Sequence, residues 1–200
     1  ATAFMAYHAS KIEMSYEFTR AIPTNNSKYK DYIAFKQQFG EDGNLLVVGV
    51  QTDQLFEKSI FNDYVELVAR LKKVNGVDNI LSVPGAFNLV KNDSTEKLQA
   101  IRLFRDGALT QAEIDTAVFH FKNLPFYQGL LYNPATNAYL MGLGINKNVL
   151  ASPKRTKLVK DVLALCEAFA QKHQLTLHYS GLPLIRTQMA DRIAKEMKWL

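Results

Sequence analysis

The sequence contains one cysteine, Cys166, so no internal disulfide can form and the fold must rest on its core. That cysteine falls at an apolar position of a periodic helical stretch, where a thiol acts as a small hydrophobe. It is as compatible with the cytosol as with the outside of a bacterial membrane. Long hydrophobic runs are missing too: no stretch reaches the roughly 20 apolar residues that span a bilayer. The opening ATAFMAYHAS has neither the basic flank nor the long apolar segment of a secretory signal. Taken literally, these absences describe a soluble cytoplasmic chain; a segment cut from a membrane protein would read the same way. None of the 4 histidines (His8, His120, His173, His178) stands in an HxH, HExxH or CxxC-type setting, so neither a metal nor a cofactor is expected. Charge of one sign is not concentrated either. The net charge of +5 is mild, and the basic residues are interspersed with acids, as in Lys28-Tyr29-Lys30-Asp31. That pattern fits a solvated surface, with no nucleic acid as partner.

What is present is a clear alternation of elements. The 200 residues, 48% of them hydrophobic, suffice for one domain with a core or for two small lobes sharing one. IEMSYEFT, 12 to 19, alternates strictly and predicts a half-buried strand with Ile12, Met14, Tyr16 and Phe18 on one face. After the break IPTNNS, Ser27 is placed to cap a helix carrying Asp31 in its first turn and Tyr32, Phe35 and Phe39 at helical spacing. NLLVVGVQT, 44 to 52, is a near-continuous apolar run, the pattern of a strand covered on both faces. A helix with Tyr64, Leu67, Val68, Leu71 and Val74 on one stripe then ends at Gly76, and VDNILSVP supplies a third strand. Residues 86 to 109 are weakly patterned and polar, a connector between candidate lobes 10–90 and 108–200.

The second half opens on a capping box, Thr110-Gln111-Ala112-Glu113. FYQGLLYN and AYLMGLGIN flank a turn of hairpin length at residues 134 to 137. Ser152-Pro153 begins the longest helix, with Leu158, Val162, Leu165, Cys166 and Phe169 as its stripe. LTLHYS alternates as a strand, and a last helix repeats Ile185, Met189, Ile193 and Met197 every fourth residue. Strands alternating with helices, plus one hairpin, predict an α/β fold, an α+β sandwich of split βαβ units of the ferredoxin-like kind.

FGEDGN, 39 to 44, has the look of a ligand loop, but its order is wrong for one. A phosphate loop places glycines after a strand and before a helix. Here Gly40 follows the last periodic residue of a helix and Asp42-Gly43 leads into a strand. A calcium loop needs alternating carboxylates leading to a distant Glu, which are missing. The stretch is punctuation between elements.

No catalytic constellation emerges. HYSGLP puts His178 within reach of Ser180, yet the glycines of a nucleophile elbow are replaced by His178 and Leu182 and no third group is suggested. A strand-to-helix corner is the better reading, and a serine hydrolase the weakest alternative. The acid pairs Glu41-Asp42 and Glu13 with Glu17 fall on polar phases. Arg155, Lys157 and Arg186 could meet an anion but are more simply solvated. Phe126, Tyr127, Tyr132, Tyr139 and Met141 are the candidates for lining a lipid-like cleft, with core packing as the competing role. The reading independent of any family is a free-standing soluble α/β ligand-binding or regulatory domain.

Three stretches together carry a resemblance. EMSYEFTRAIPTNNSKYKDYIAFKQQFGEDGNLLVVGVQT (13–52), GVDNILSV (76–83) and HYSGLPLIRTQMADRIAKEM (178–197) resemble the first extracytoplasmic loop of bacterial RND-superfamily exporters of the MMPL-like branch. In that family a strand ending at an Ile/Leu-Pro corner precedes a helix that turns at Phe-Gly into an apolar strand, and a Ser-Gly-x-Pro element leads into the second membrane helix. Residues 86–150 are less diagnostic. The resemblance implies a porter-type domain of a proton-driven exporter, on the periplasmic side of the inner membrane, and not an enzyme. It implies flanking transmembrane helices just before Ala1 and just after Leu200, where Arg192, Lys195, Lys198 and Trp199 suit an interface. Its implied partners are the other domains of the same polypeptide, neighbouring protomers in a homo-oligomer, and a lipid-like or amphiphilic cargo. The proton-carrying acids would lie outside this segment, and no family substrate-binding residue carries over. Partner domains of this kind require an exposed apolar patch on the segment taken alone.

Overall fold

The computed structural model describes residues 4–5, 23–39, 42–92 and 96–196. Chain packing divides it into two units, residues 1–42 and 43–200. In the first unit, helix α1 spans Ser27–Phe39. Its cap is one residue earlier than the sequence suggests: the Lys28 N–H donates to Asn26 Oδ1 at 2.9 Å, so Asn26 takes the capping role. The expected strand at 12–19 and the expected left-handed Gly40 lie outside the described residues.

In the second unit, strands β1 (Leu45–Gln51), β2 (Val77–Leu81), β5 (Tyr132–Asn133), β6 (Ala138–Ile145) and β7 (Leu177–Ser180) form one sheet. The order is β2-β6-β1-β7, with β5 paired to β6, and every pairing is antiparallel. Since β1 and β2 both oppose β6, they run parallel to each other, as do β6 and β7. Helix α2 (Lys58–Leu71) connects β1 to β2, and helix α5 (Lys154–His173), after the single turn α4 (Lys147–Leu150), connects β6 to β7. Each crossover thus skips the strand that lies between its ends, so the two β-α-β units interleave. The chain is an α+β protein built on antiparallel sheet.

Interleaving changes the expected division of the chain. Residues 45–81 and 138–180 share one sheet and one core, so they are not two lobes. The segment read as a connector instead carries a hairpin, β3 (Phe87–Asn92) paired with β4 (Lys97–Arg102), which forms a separate two-stranded sheet. It leads to helix α3 (Gln111–Lys122), where the capping box is realised on both sides: Thr110 Oγ1 accepts from the Glu113 N–H, and Glu113 Oε2 accepts from the Thr110 N–H at 2.8 Å. At the longest helix the cap differs from expectation. The Ser152 hydroxyl donates to the Val149 carbonyl at 2.9 Å instead of accepting from the helix, which starts at Lys154.

The core lies on one face of the sheet. Leu46 and Val48 of β1 and Tyr139, Met141, Leu143 and Ile145 of β6 are buried there, against Phe61, Tyr64, Leu67 and Leu71 of α2 and Leu158, Val162, Cys166 and Phe169 of α5. The α2 and α5 stripes match the sequence periodicity. The last helix, α6 (Leu182–Glu196), does not use its obvious stripe this way. It buries Leu184 and Thr187, while Leu182, Ile185, Met189 and Ile193 are exposed.

Candidate functional site

The second face of the sheet is open. Alternation along the registered strands places Leu45, Val47 and Gly49 of β1, Leu140, Gly142 and Gly144 of β6, Asn79 and Leu81 of β2, and His178 and Ser180 of β7 on it. Leu45 is 43% exposed, Leu81 41% and Leu140 37%, so the near-continuous apolar run at β1 is covered on one face, not on both as the sequence predicts. None of these outward residues bears a permanent charge. A solvated sheet face normally alternates polar against apolar, and depletion of charge is what marks the centre of an interface.

Glycines give this face its shape. A Cβ at Gly144 would lie 2.5 Å from Asn79 Oδ1, one at Gly49 would lie 3.2 Å from a Leu140 methyl, and one at Gly142 would lie 3.3 Å from a Leu45 methyl. Large side chains therefore lie across the glycine positions instead of standing off the sheet. The result is a surface without permanent charge, on which Leu45, Val47, Leu81 and Leu140 lie among glycines and the polar side chains of Asn79, His178 and Ser180. At its edge the HYSGLP corner turns sharply: Gly181 has φ +118, and a Cβ there would lie 2.2 Å from the Leu45 carbonyl oxygen. That is the corner predicted from the sequence, held by a backbone approach that glycine alone permits.

The residues singled out from the sequence are dispersed through the unit. Tyr127, Tyr132, Tyr139 and Met141 are buried, whereas Phe126 is 69% exposed, so the five do not line one cleft. Tyr139 and Met141 border an apolar void of about 20 Å³ with Tyr64 and Phe169, room for a water molecule but not for an acyl chain. Tyr127 stacks on Phe121 at 5.3 Å, and its hydroxyl both accepts from the Phe87 N–H and donates to the Phe87 carbonyl, at 2.9 and 2.8 Å. The Tyr132 hydroxyl donates to the Lys122 carbonyl. These aromatics pack α3 and the hairpin onto the sheet; at strand spacing on β5 and β6, the inward phase is core.

Ser180 and His178 share the open face, each exposed, and no hydrogen bond joins either side chain to a partner among the described residues. A nucleophile needs a base hydrogen-bonded to it and a group to orient that base, and among the described residues no such bonds join this pair. Arg155, a candidate anion ligand, is instead 1% exposed, with Nη1 donating to the Leu150 carbonyl at 3.1 Å. Lys157 pairs with Asp161 on the surface at 2.6 Å. Glu13, Glu17 and Glu41 lie outside the described residues. Among those described, no group of three or more His, Cys, Asp or Glu side chains is arranged to hold a metal.

The structure adds one polar cluster that sequence spacing could not reveal. Asp63 on α2 accepts from Lys172 at 2.6 Å and lies 2.7 Å from His173 Nε2, both at the end of α5. The hydrogen bond from Lys172 leads the effects that hold the Asp63 carboxyl below its ordinary range. The neighbouring groove, about 220 Å³, is lined by Glu66, Arg70, Leu165 and Phe169. Through Lys172 and His173, Asp63 ties the two crossover helices together. Asp63 and His173 are 110 positions apart, and nothing local in either stretch announces the pair.

No protein-family model matches the chain, and no curated protein does either.

Proposed function

We propose that this chain is the extracytoplasmic, porter-type domain of an exporter of the RND superfamily, MMPL-like branch. In this reading it is a non-enzymatic element that changes shape and forms part of the path for a lipid-like or amphiphilic cargo. The observation that carries the reading is the open sheet face: it exposes Leu45, Leu81 and Leu140 and bears no permanent charge, on a strand whose sequence is that of a buried one. Such a face suits a second domain of the same polypeptide packed sheet against it. The interleaved order β2-β6-β1-β7 adds support, because it suits the ferredoxin-like split βαβ arrangement that the alternation of elements predicts. The motif stretches fall at element ends: Asp42-Gly43-Asn44 leads into β1, GVDNILSV contains β2, and HYSGLP turns β7 into α6. They define architecture, which is why no binding residue comes with them.

Protease treatment of sealed spheroplasts from cells that express the natural polypeptide tests this placement. The reading expects cleavage within residues 1–200 from the outside while a cytoplasmic marker stays intact. Protection of this segment until the membrane is ruptured contradicts it.

A further inference from the structure

We propose that α6 lies on the surface of an anionic lipid bilayer, through the apolar stripe that it turns away from the core. At 100° per residue, Leu182, Ile185, Met189 and Ile193 fall within about 80° of one another around the helix. All four are 44–50% exposed. The opposite side carries the anchoring contacts: Leu184 and Thr187 are buried, the Thr187 hydroxyl donates to the Pro183 carbonyl, and Asp191 pairs with Lys160 of α5 at 3.3 Å. The helix is thus fixed by one face and presents a second hydrophobic face to its surroundings.

The flanking charges identify the occupant. Arg186 and Arg192 sit about 20° outside the two borders of the stripe. Glu196 falls within the stripe at the last turn of the helix, and there it accepts from Arg192 at 3.2 Å in an exposed pair. An apolar stripe bordered by long cationic side chains is the pattern of a helix lying in the plane of a membrane. There the stripe enters the acyl boundary while the guanidinium groups reach lipid phosphates. A protein partner would be served equally well without bracketing arginines, and the open sheet face, which lacks permanent charge, shows the contrast within the same unit. The proposal does not depend on the exporter reading, since it concerns the isolated 200-residue chain.

The test is co-sedimentation of this chain with vesicles of phosphatidylcholine, alone or mixed with phosphatidylglycerol, at low and high salt. The expected result is binding to the mixed vesicles, weaker binding to the neutral ones, and weakening by salt. Trp199 is the chain's single tryptophan and follows α6 in sequence, so its emission should shift to the blue on binding. Ile185→Ser with Met189→Ser should lower partitioning at least tenfold, and Arg186→Gln with Arg192→Gln should remove the preference for anionic lipid. Phe126→Ser alters an equally exposed side chain elsewhere and should change nothing. All these positions are at least partly exposed, and circular dichroism checks that each variant folds. Absence of binding by the unaltered chain overturns the proposal, as does unchanged binding by I185S/M189S. Concentration-dependent dimerisation abolished by I185S/M189S would assign the stripe to a second copy and overturn it too. If the natural polypeptide proves to have flanking membrane segments while the chain ignores vesicles, this inference fails and the exporter reading stands.

Discussion

At the scale of single residues, two positions carry effects large enough to measure. Gly181 combines φ +118 with a Cβ position 2.2 Å from the Leu45 carbonyl oxygen, so any side chain there strains the backbone and drives β7 away from β1. Gly181→Ala should cost about 3 kcal/mol or more in urea unfolding. Gly129 makes the contrast: its φ is +77, but nothing lies within 4 Å of the added Cβ. Gly129→Ala should therefore cost roughly 1–2 kcal/mol, from the left-handed conformation alone. Equal losses at the two sites would show that the close approach at the corner does not matter.

Glu113 reports on the α3 cap through pH. The bidentate Arg105 guanidinium, at 2.7 and 2.9 Å, and then Thr110 lower its pKa from 4.5 to about 2. A carboxyl depressed on folding contributes stability that is complete above its unfolded value and disappears as pH falls through the folded one. The contribution should fade between 4.5 and about 2. Glu113→Gln should flatten that part of the stability–pH curve, and an unchanged acid limb in thermal melts would contradict the assignment. The capping box was legible because its four residues are consecutive; the Asp63–His173 pair was not, since only the fold brings those two together.

At the scale of elements, the sequence pattern was a good guide to which segments are helix or strand and a poorer guide to what their faces meet. The stripes of α2 and α5 were correctly assigned to the core. The α6 stripe has the same periodicity but faces outward, because periodicity shows that a face is apolar and not what covers it. The apolar run of β1 misled in the same way, since a strand awaiting a partner and a strand already covered have the same composition. The β3–β4 hairpin escaped notice because two strands without a third show weak alternation; Phe87, Leu89 and Leu98 on it are exposed. An isolated hairpin is marginal in water, and the Tyr127 hydroxyl clasps its first residue from both sides. Tyr127→Phe should raise amide exchange across Phe87–Asn92 and Lys97–Arg102 about thirtyfold, the equivalent of two lost hydrogen bonds at about 1 kcal/mol each. Amides of β6 should keep their protection. A hairpin unaffected by the change would place its anchor elsewhere.

At the scale of the whole molecule, two apolar surfaces differ in chemistry. The open sheet face has no permanent charge, as befits another protein domain. The α6 stripe is bordered by arginines, as befits a charged bilayer. A domain seated between membrane and partner domain would need both. The sequence leads one to expect an apolar patch but not where it lies, because outward apolar residues and core residues are drawn from the same alphabet. The proposed resemblance rests on corners, where Gly and Pro requirements are local. The central claim, that this chain is one outer domain of a membrane exporter, is tested most directly by the natural polypeptide that carries these residues. Its mass and the sequence on either side can be read by mass spectrometry of the membrane fraction. The account predicts a far larger chain, with apolar segments of about 20 residues abutting both ends. A natural polypeptide that ends at Leu200 with no such segment before Ala1 would contradict it.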